Sequence, residues 1–243
     1  MTGYELFRYE CKDVKVLHTG LHLEETLEGV PALSGILSIK NGTEIIDTYS
    51  VKIIPQPDYP NRFPYVFETM GKIPNNIDWH VFSDGHFCLC TIPEELLKCK
   101  KGFSLYDFIE TEVKPYLFNQ TFRREYGFFN HERKHGFEGE LDSYMEILGM
   151  NNIMDIALFF NFLIKRNEQS RTEKCFCGSG KKYRHCHRFQ YRLFDELSDA
   201  ELTMVSFRIL QSSQFKIAFT LFKQEKFHLD NSPKRKVLPI HNI

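Results

Sequence analysis

Residues 32–54 read Ala32-Leu33-Ser34-Gly35-Ile36-Leu37-Ser38-Ile39-Lys40-Asn41-Gly42-Thr43-Glu44-Ile45-Ile46-Asp47-Thr48-Tyr49-Ser50-Val51-Lys52-Ile53-Ile54. Leu33, Gly35, Leu37 and Ile39 fall on one parity, with Ser34, Ser38 and Lys40 mostly on the other. Such period-two patterning is that of a strand with one buried face. Asn41-Gly42 between two runs of this kind predicts a hairpin, because both residues tolerate the positive φ that a tight reversal needs. Pro55, Pro57, Pro60 and Pro64 follow, and then a third β-like run, Tyr65-Val66-Phe67-Glu68. The pattern is an antiparallel meander closed by a rigid proline-rich connection.

Upstream, the stretch from Tyr4 to Val16 suits either a helix or a strand. Downstream, residues 71–102 show little periodicity and carry Gly71, Pro74, Gly85, Pro93 and Gly102, which predicts a long loop of functional character. Ser104 reads as the N-cap of a helix with Leu105, Phe108, Ile109, Val113 and Tyr116 on one side. Residues 117–140 are mixed and aromatic, and Leu141–Leu148 is a further helix. Ile153–Ile164 is a strongly apolar helical run, too short to cross a bilayer. Residues 167–174 form a polar linker, Tyr191–Leu197 and Ala200–Lys223 are expected helices, and the tail from 230 is basic, with Lys234-Arg235-Lys236 as a solvated triplet.

The 243 residues are 42% hydrophobic and 26% charged, with a net charge of −1, ordinary values for a globular protein. Near-neutral charge gives no push toward nucleic acid or an anionic membrane. The first residues have no apolar signal segment, so a cytoplasmic location is expected. The 23 Phe against one Trp point to an aromatic core. His18 and His22 are expected at the surface. The 7 cysteines are an odd number with one tight cluster, which argues against a secreted disulfide framework.

That cluster is Cys175-Phe-Cys177-Gly178-Ser179-Gly180-Lys181-Lys182-Tyr183-Arg184-His185-Cys186-His187. Two thiolates one residue apart and a later Cys-His pair supply the four ligands of a closed tetrahedral zinc site. Gly178 and Gly180 let the backbone turn so that both pairs face one point. A segment this short has no core, so the metal would supply its folding energy. The string resembles the SEC-C motif, which implies Cys175, Cys177, Cys186 and His187 as ligands to a structural Zn2+. His185 is a neighbouring alternative that the motif's Cys-His ending disfavours. Lys181, Lys182 and Arg184 suit a partner-binding surface, and a filled ligand set leaves no position for catalytic water.

A second constellation runs through Tyr59-Pro60, Pro64, His80 and Gly85-His86-Phe87-Cys88-Leu89. In order and spacing it resembles the ubiquitin-conjugating enzyme family. The resemblance implies an α+β fold with a four-stranded antiparallel meander flanked by helices over residues 1–150. A helical region carrying the zinc knuckle would occupy 151–243. It also implies Cys88 as the thiol that holds a protein carboxyl terminus as a thioester. His80 and His86 become candidate orienting or proton-transfer groups, and a neighbouring imidazole would favour the thiolate. Cys90 is the competing thiol, which the alignment passes over; Cys11 and Cys99 fit no pattern.

His80-Val81-Phe82 stands where the family has His-Pro-Asn, so the Asn credited with supporting the oxyanion is missing; a backbone N–H or His86 is the candidate replacement. Asn130-His131-Glu132-Arg133-Lys134-His135-Gly136-Phe137-Glu138-Gly139 resembles bacterial ubiquitin-conjugating-like proteins of antiphage operons. The partners implied are an activating-enzyme-like protein and a ubiquitin-like protein or cyclic-oligonucleotide synthase, joined to a target lysine or amine. Two rival readings are a non-catalytic adaptor of the same fold and a zinc protease using His131-Glu132-x-x-His135. The latter requires a helix that puts both imidazoles on one face.

Overall fold

The computed structural model describes residues 1–230, with side chains as far as Gln224. The chain divides into two compact units, Met1–Ile147 with Arg192–Leu197, and Leu148–Tyr191 with Ser198 onward. The basic triplet Lys234-Arg235-Lys236 lies outside the described residues.

In the first unit, α1 spans Gly3–Leu17, so the helical alternative holds for the opening stretch. Thr2 and Glu5 form a reciprocal capping box, which satisfies two of the donors left open at a helix start. Phe7, Cys11 and Val14, at helical spacing, bury one face. The sheet has four antiparallel strands in sequence order: β1 Leu21–Glu25, β2 Pro31–Asn41, β3 Glu44–Ile54 and β4 Tyr65–Glu68. The β2–β3 hairpin forms as its pattern predicts, in a register that sets Leu33 opposite Ile53 and Leu37 opposite Tyr49. Leu33, Leu37, Tyr49, Val51 and Ile53 are all buried, while Ile36 and Ile45 on the other face are exposed.

β1 has no clear signal in the sequence, since Leu-His-Leu-Glu-Glu is short and mostly polar. Its pairing with β2 needs Gly35, at φ +136°, where a Cβ would lie 2.1 Å from the Gly20 carbonyl oxygen. Tyr59 and Phe63 of the proline-rich connection turn into the core, the Tyr59-Pro60 bond being cis.

Residues 71–102 are not one loop. The segment holds a 3-10 turn, Ile77–Trp79, and a helix, α2, Ile92–Lys101. The Glu94 carboxylate accepts from the Thr91 backbone N–H (3.0 Å) and hydroxyl (3.0 Å), closing the helix start. Pro93 sits in the first turn, where its missing N–H costs nothing. Acidic Glu94 and Glu95 at the start and Lys98, Lys100 and Lys101 at the end complement the helix dipole.

Ser104 caps α3, Leu105–Phe108, as expected. The helix widens into a π-turn over Ile109–Val113 and continues as α4, Lys114–Tyr126. The wide turn precedes Pro115, which has no N–H to give the preceding turn. Leu105, Phe108, Ile109, Val113 and Leu117 close the core against the sheet. α5 starts at Gly136, ahead of the expected Leu141, and ends at Leu148.

In the second unit, α6 covers Ile153–Ile164 and buries Ile156, Phe159, Phe160 and Leu163. α7 spans Arg188–Asp195, its residues from Arg192 counting with the first unit, and α8 spans Asp199–Gln211, with Ser198 and Glu201 boxing its start. The expected single helix Ala200–Lys223 breaks at Ser212, which is extended (ψ 148°) and whose hydroxyl accepts from the Phe215 N–H at 3.1 Å. Ser212 thus caps a separate helix, α9, Ser213–Asp230. Among the described residues no single helix is long and apolar enough to cross a membrane.

Candidate functional sites

Residues 80–88 fold as a narrow ribbon. Val81 bridges Phe87, the Phe82 N–H donates to the His86 carbonyl (2.9 Å), and the Cys88 N–H donates to the His80 carbonyl (2.7 Å). The Tyr116 hydroxyl also donates to the His80 carbonyl (3.1 Å), and Gln120 Nε2 donates to the Trp79 carbonyl (2.7 Å). The backbone that carries Cys88 is therefore held by the helix behind it. His80 occupies the left-handed region at φ 53°, strained for a residue with a Cβ, at the foot of the ribbon.

Cys88 is half-buried on the wall of a cavity of about 520 Å3, lined also by Thr91, Glu94 and Lys98 of the α2 region, Asn119 of α4, and Asn130, His131 and Arg133. Arg133 pairs with Glu94, and Lys98 with Glu112 at 2.8 Å, so the walls are charged but internally matched. Asn119 ties down the 130–131 segment: its Nδ2 donates to the His131 carbonyl (2.8 Å) and its Oδ1 accepts from the Asn130 N–H (2.9 Å). Sequence reasoning missed this wall because it missed α2; the Thr91–Glu94 box was the signal that could have found it.

The three candidate groups have different environments. Burial, then the charge of Glu140, pushes the Cys88 thiol up to about 11, opposite to an imidazole-supported thiolate. His80 lines the larger cavity together with Cys88, and its ring packs on Phe129 (5.1 Å between centroids) and His135 (4.3 Å). Burial, His135 and Arg123 together push it down to about 4, so it is neutral at pH 7 and brings no positive charge to the sulfur. His86 is held by Asp84, with Nδ1 2.6 Å from Oδ1, and is stacked on Phe82 at 4.4 Å. It borders a second cavity, of about 190 Å3, that Cys88 also lines. Cys90 has its thiol pushed well up by burial, and Cys11 and Cys99 lie in the core.

The zinc-protease arrangement does not form. Residues 131–135 are irregular, preceding α5; His131 faces the larger cavity while His135 packs at a tilt against His80, so the two imidazoles share no helix face. Gly136 at φ +62° starts the helix only after the second histidine. His18 is also not a surface residue: it lies 2.9 Å from Glu110 and stacks on Tyr106. His22 is exposed.

In the second unit the ligand atoms of Cys175, Cys177, Cys186 and His187 all lie within 4.8 Å of one another. Cys175 Sγ and Cys186 Sγ are each 3.3 Å from His187 Nδ1, and Cys177 Sγ is 3.5 Å from Cys186 Sγ. Four ligands at ordinary Zn–S and Zn–N lengths stand roughly 3.5–3.8 Å apart in a tetrahedron, so the donor set fits zinc with slight expansion. His187 Nε2 is 3.0 Å from the Leu148 carbonyl; donating its proton there leaves the Nδ1 lone pair for the metal. Gly178 and Gly180, both at positive φ, make the turn, and the Cys175 N–H donates to the Lys181 carbonyl at 2.8 Å. His185 is exposed beside Arg184 and stays outside the cluster. Lys181, Lys182 and Arg184 are exposed.

The SEC-C motif family matches residues 171–188, the segment that holds this cluster. Among solved structures, the yeast Vps23 UEV domain in complex with a Vps27 PSDP peptide is similar at 12% identity over 48% of this chain and 72% of that one. Its TM-score of 0.28 does not establish a shared fold. No curated protein matches the chain.

Proposed function

We propose that the first unit is a ubiquitin-conjugating-like cysteine transferase and the zinc knuckle its structural and docking appendage. Cys88 attacks the activated carboxyl terminus of a protein, the leaving group departs, and a thioester holds the acyl group. An amine then attacks the thioester carbon, an amide forms, and Cys88 is released as a thiol. The donor is a ubiquitin-like protein or a cyclic-oligonucleotide synthase delivered by an activating-enzyme-like partner. The resemblance of residues 130–139 to antiphage proteins supports a role in bacterial defence, within the cytoplasm. The observation that carries the reading is the position of Cys88: a thiol on a backbone pinned at the His80 carbonyl, forming the wall of an open cavity.

A second reading, an adaptor that binds the same partners without chemistry, is favoured by the raised thiol and the neutral His80. Intact mass of the full chain, purified with its candidate partners before and after reducing agent, separates the two. An active Cys88 gives a thiol-labile adduct that Cys88→Ala abolishes. A wild-type chain that binds its partners yet never forms the adduct leaves the adaptor.

A further inference from the structure

Resting on the thiol-carrier reading, we propose that the smaller cavity beside Cys88 is the entry for a primary amine of lysine type, deprotonated there by His86 with Asp84 as its positioning residue. Along the extended run 86–88, alternate side chains share a face. Phe87, 4% exposed and stacked on Tyr116, separates His86 from Cys88, which places those two on the same side of the run. Both line the 190 Å3 cavity, with Arg62, Tyr65, Phe82, Phe87 and Glu95.

The imidazole is held at Nδ1 and by two aromatic neighbours. Asp84 Oδ1 accepts the Nδ1–H at 2.6 Å and also accepts the His86 backbone N–H at 3.3 Å. The turn beneath them is closed by the Gly85 N–H on the Phe82 carbonyl, 2.8 Å. Phe82 and Tyr65 hold the ring from two directions, at 4.4 and 4.8 Å between centroids. A carboxylate on Nδ1–H leaves Nε2 as the free acceptor, the arrangement a general base requires.

The remaining walls suit the same substrate. Tyr65 and Phe82 are each 38% exposed, offering aromatic faces to an aliphatic stem and its ammonium group. Glu95 and Arg62 neutralise each other through bonds of 2.7 and 3.1 Å, so no unpaired carboxylate traps the ammonium as a permanent salt.

The step balances. One ammonium proton passes to His86 Nε2 and on to solvent, and the freed amine adds to the thioester carbon. Collapse of the adduct breaks the C–S bond, and the second nitrogen proton, carried by the same imidazole, ends on the Cys88 sulfur.

The test loads Cys88 of the full chain from a short peptidyl benzyl thioester, then measures discharge by intact mass. Two amines serve as acceptors: Nα-acetyl-lysine, protonated at pH 7.5, and hydroxylamine, largely unprotonated there. For His86→Gln the expected result is roughly a 100-fold slower discharge to Nα-acetyl-lysine, and for Asp84→Asn roughly 10-fold, in line with loss of general-base catalysis. Loading, and discharge to hydroxylamine, stay within about two-fold of wild type because that nucleophile needs no base. Unchanged discharge to Nα-acetyl-lysine in His86→Gln overturns the inference and leaves the thiol carrier standing. Equal slowing toward both amines also overturns it, since that marks a structural role. A wild-type Cys88 that never loads overturns the carrier itself, and the inference with it.

Discussion

At the scale of single residues, the thiol at 88 and the two imidazoles near it are separated by environment more than by chain position. His80 and His86 both flank Cys88 in sequence, yet one ring is folded under His135 and Phe129 while the other is aimed by a carboxylate. With its thiol pushed up to about 11, Cys88 has about one molecule in ten thousand ionised at pH 7, and the fraction rises ten-fold per pH unit. Alkylation of Cys88 by iodoacetamide, followed by peptide mapping, is therefore expected to accelerate steadily from pH 7 to beyond pH 10. A rate already level by pH 8 would mean that an imidazole supports the thiolate after all.

At the scale of elements, α2 is the piece on which both cavities depend. Glu95 on its first turn accepts from Arg62 Nε (2.7 Å) and from the Phe63 N–H (3.0 Å), clamping the proline-rich connection to the helix. Glu95→Ala leaves the half-buried Arg62 without its partner and is expected to cost about 2 kcal/mol in urea unfolding, the scale of charge-assisted hydrogen bonds. A loss below about 0.5 kcal/mol would show that the clamp acts as a solvated surface pair.

The same helix shows what the residue string conceals. The β2–β3 hairpin was legible because alternation and Asn41-Gly42 are signals confined to neighbours. So was the zinc cluster, whose ligands and turning glycines lie within one short run. α2 was hidden because Pro93 and the surrounding glycines outweighed the Thr91–Glu94 box, although proline in a first turn is no obstacle. The π-turn before Pro115 and the break at Ser212 depend on hydrogen-bond geometry that composition does not carry. Asp84 and His86 stand two residues apart, but their pairing exists only because the 82–86 turn brings the carboxylate back to the ring.

At the scale of the molecule, the two units hold different kinds of stability. The first has a continuous aromatic and aliphatic core beneath its sheet. In the second, the ligand-bearing segment is turned on itself by backbone bonds such as the Tyr183 N–H to the Glu173 carbonyl at 2.9 Å, and its four ligands are expected to draw folding energy from a metal. One zinc per chain is expected by elemental analysis. Cys186→Ser, or a strong chelator, should reduce amide-exchange protection across residues 171–188 by roughly 100-fold or more, given the ~10 kcal/mol that small structural zinc sites draw from their ion. Protection that survives chelation would remove the metal from the folding of this segment. A point substitution is the right tool here, because deleting everything after residue 170 would also take Arg192–Leu197 out of the first unit.

That returning segment has a consequence for how the protein is made. Arg192–Leu197 completes a unit whose remainder ends at Ile147. Synthesis runs from the N-terminus, so the ribosome must deliver Leu148–Tyr191 before the first unit has all its parts. At about 5–20 residues per second the delay is roughly 2–9 s, during which the nascent first unit lacks this segment. Birth order thus opposes assembly order.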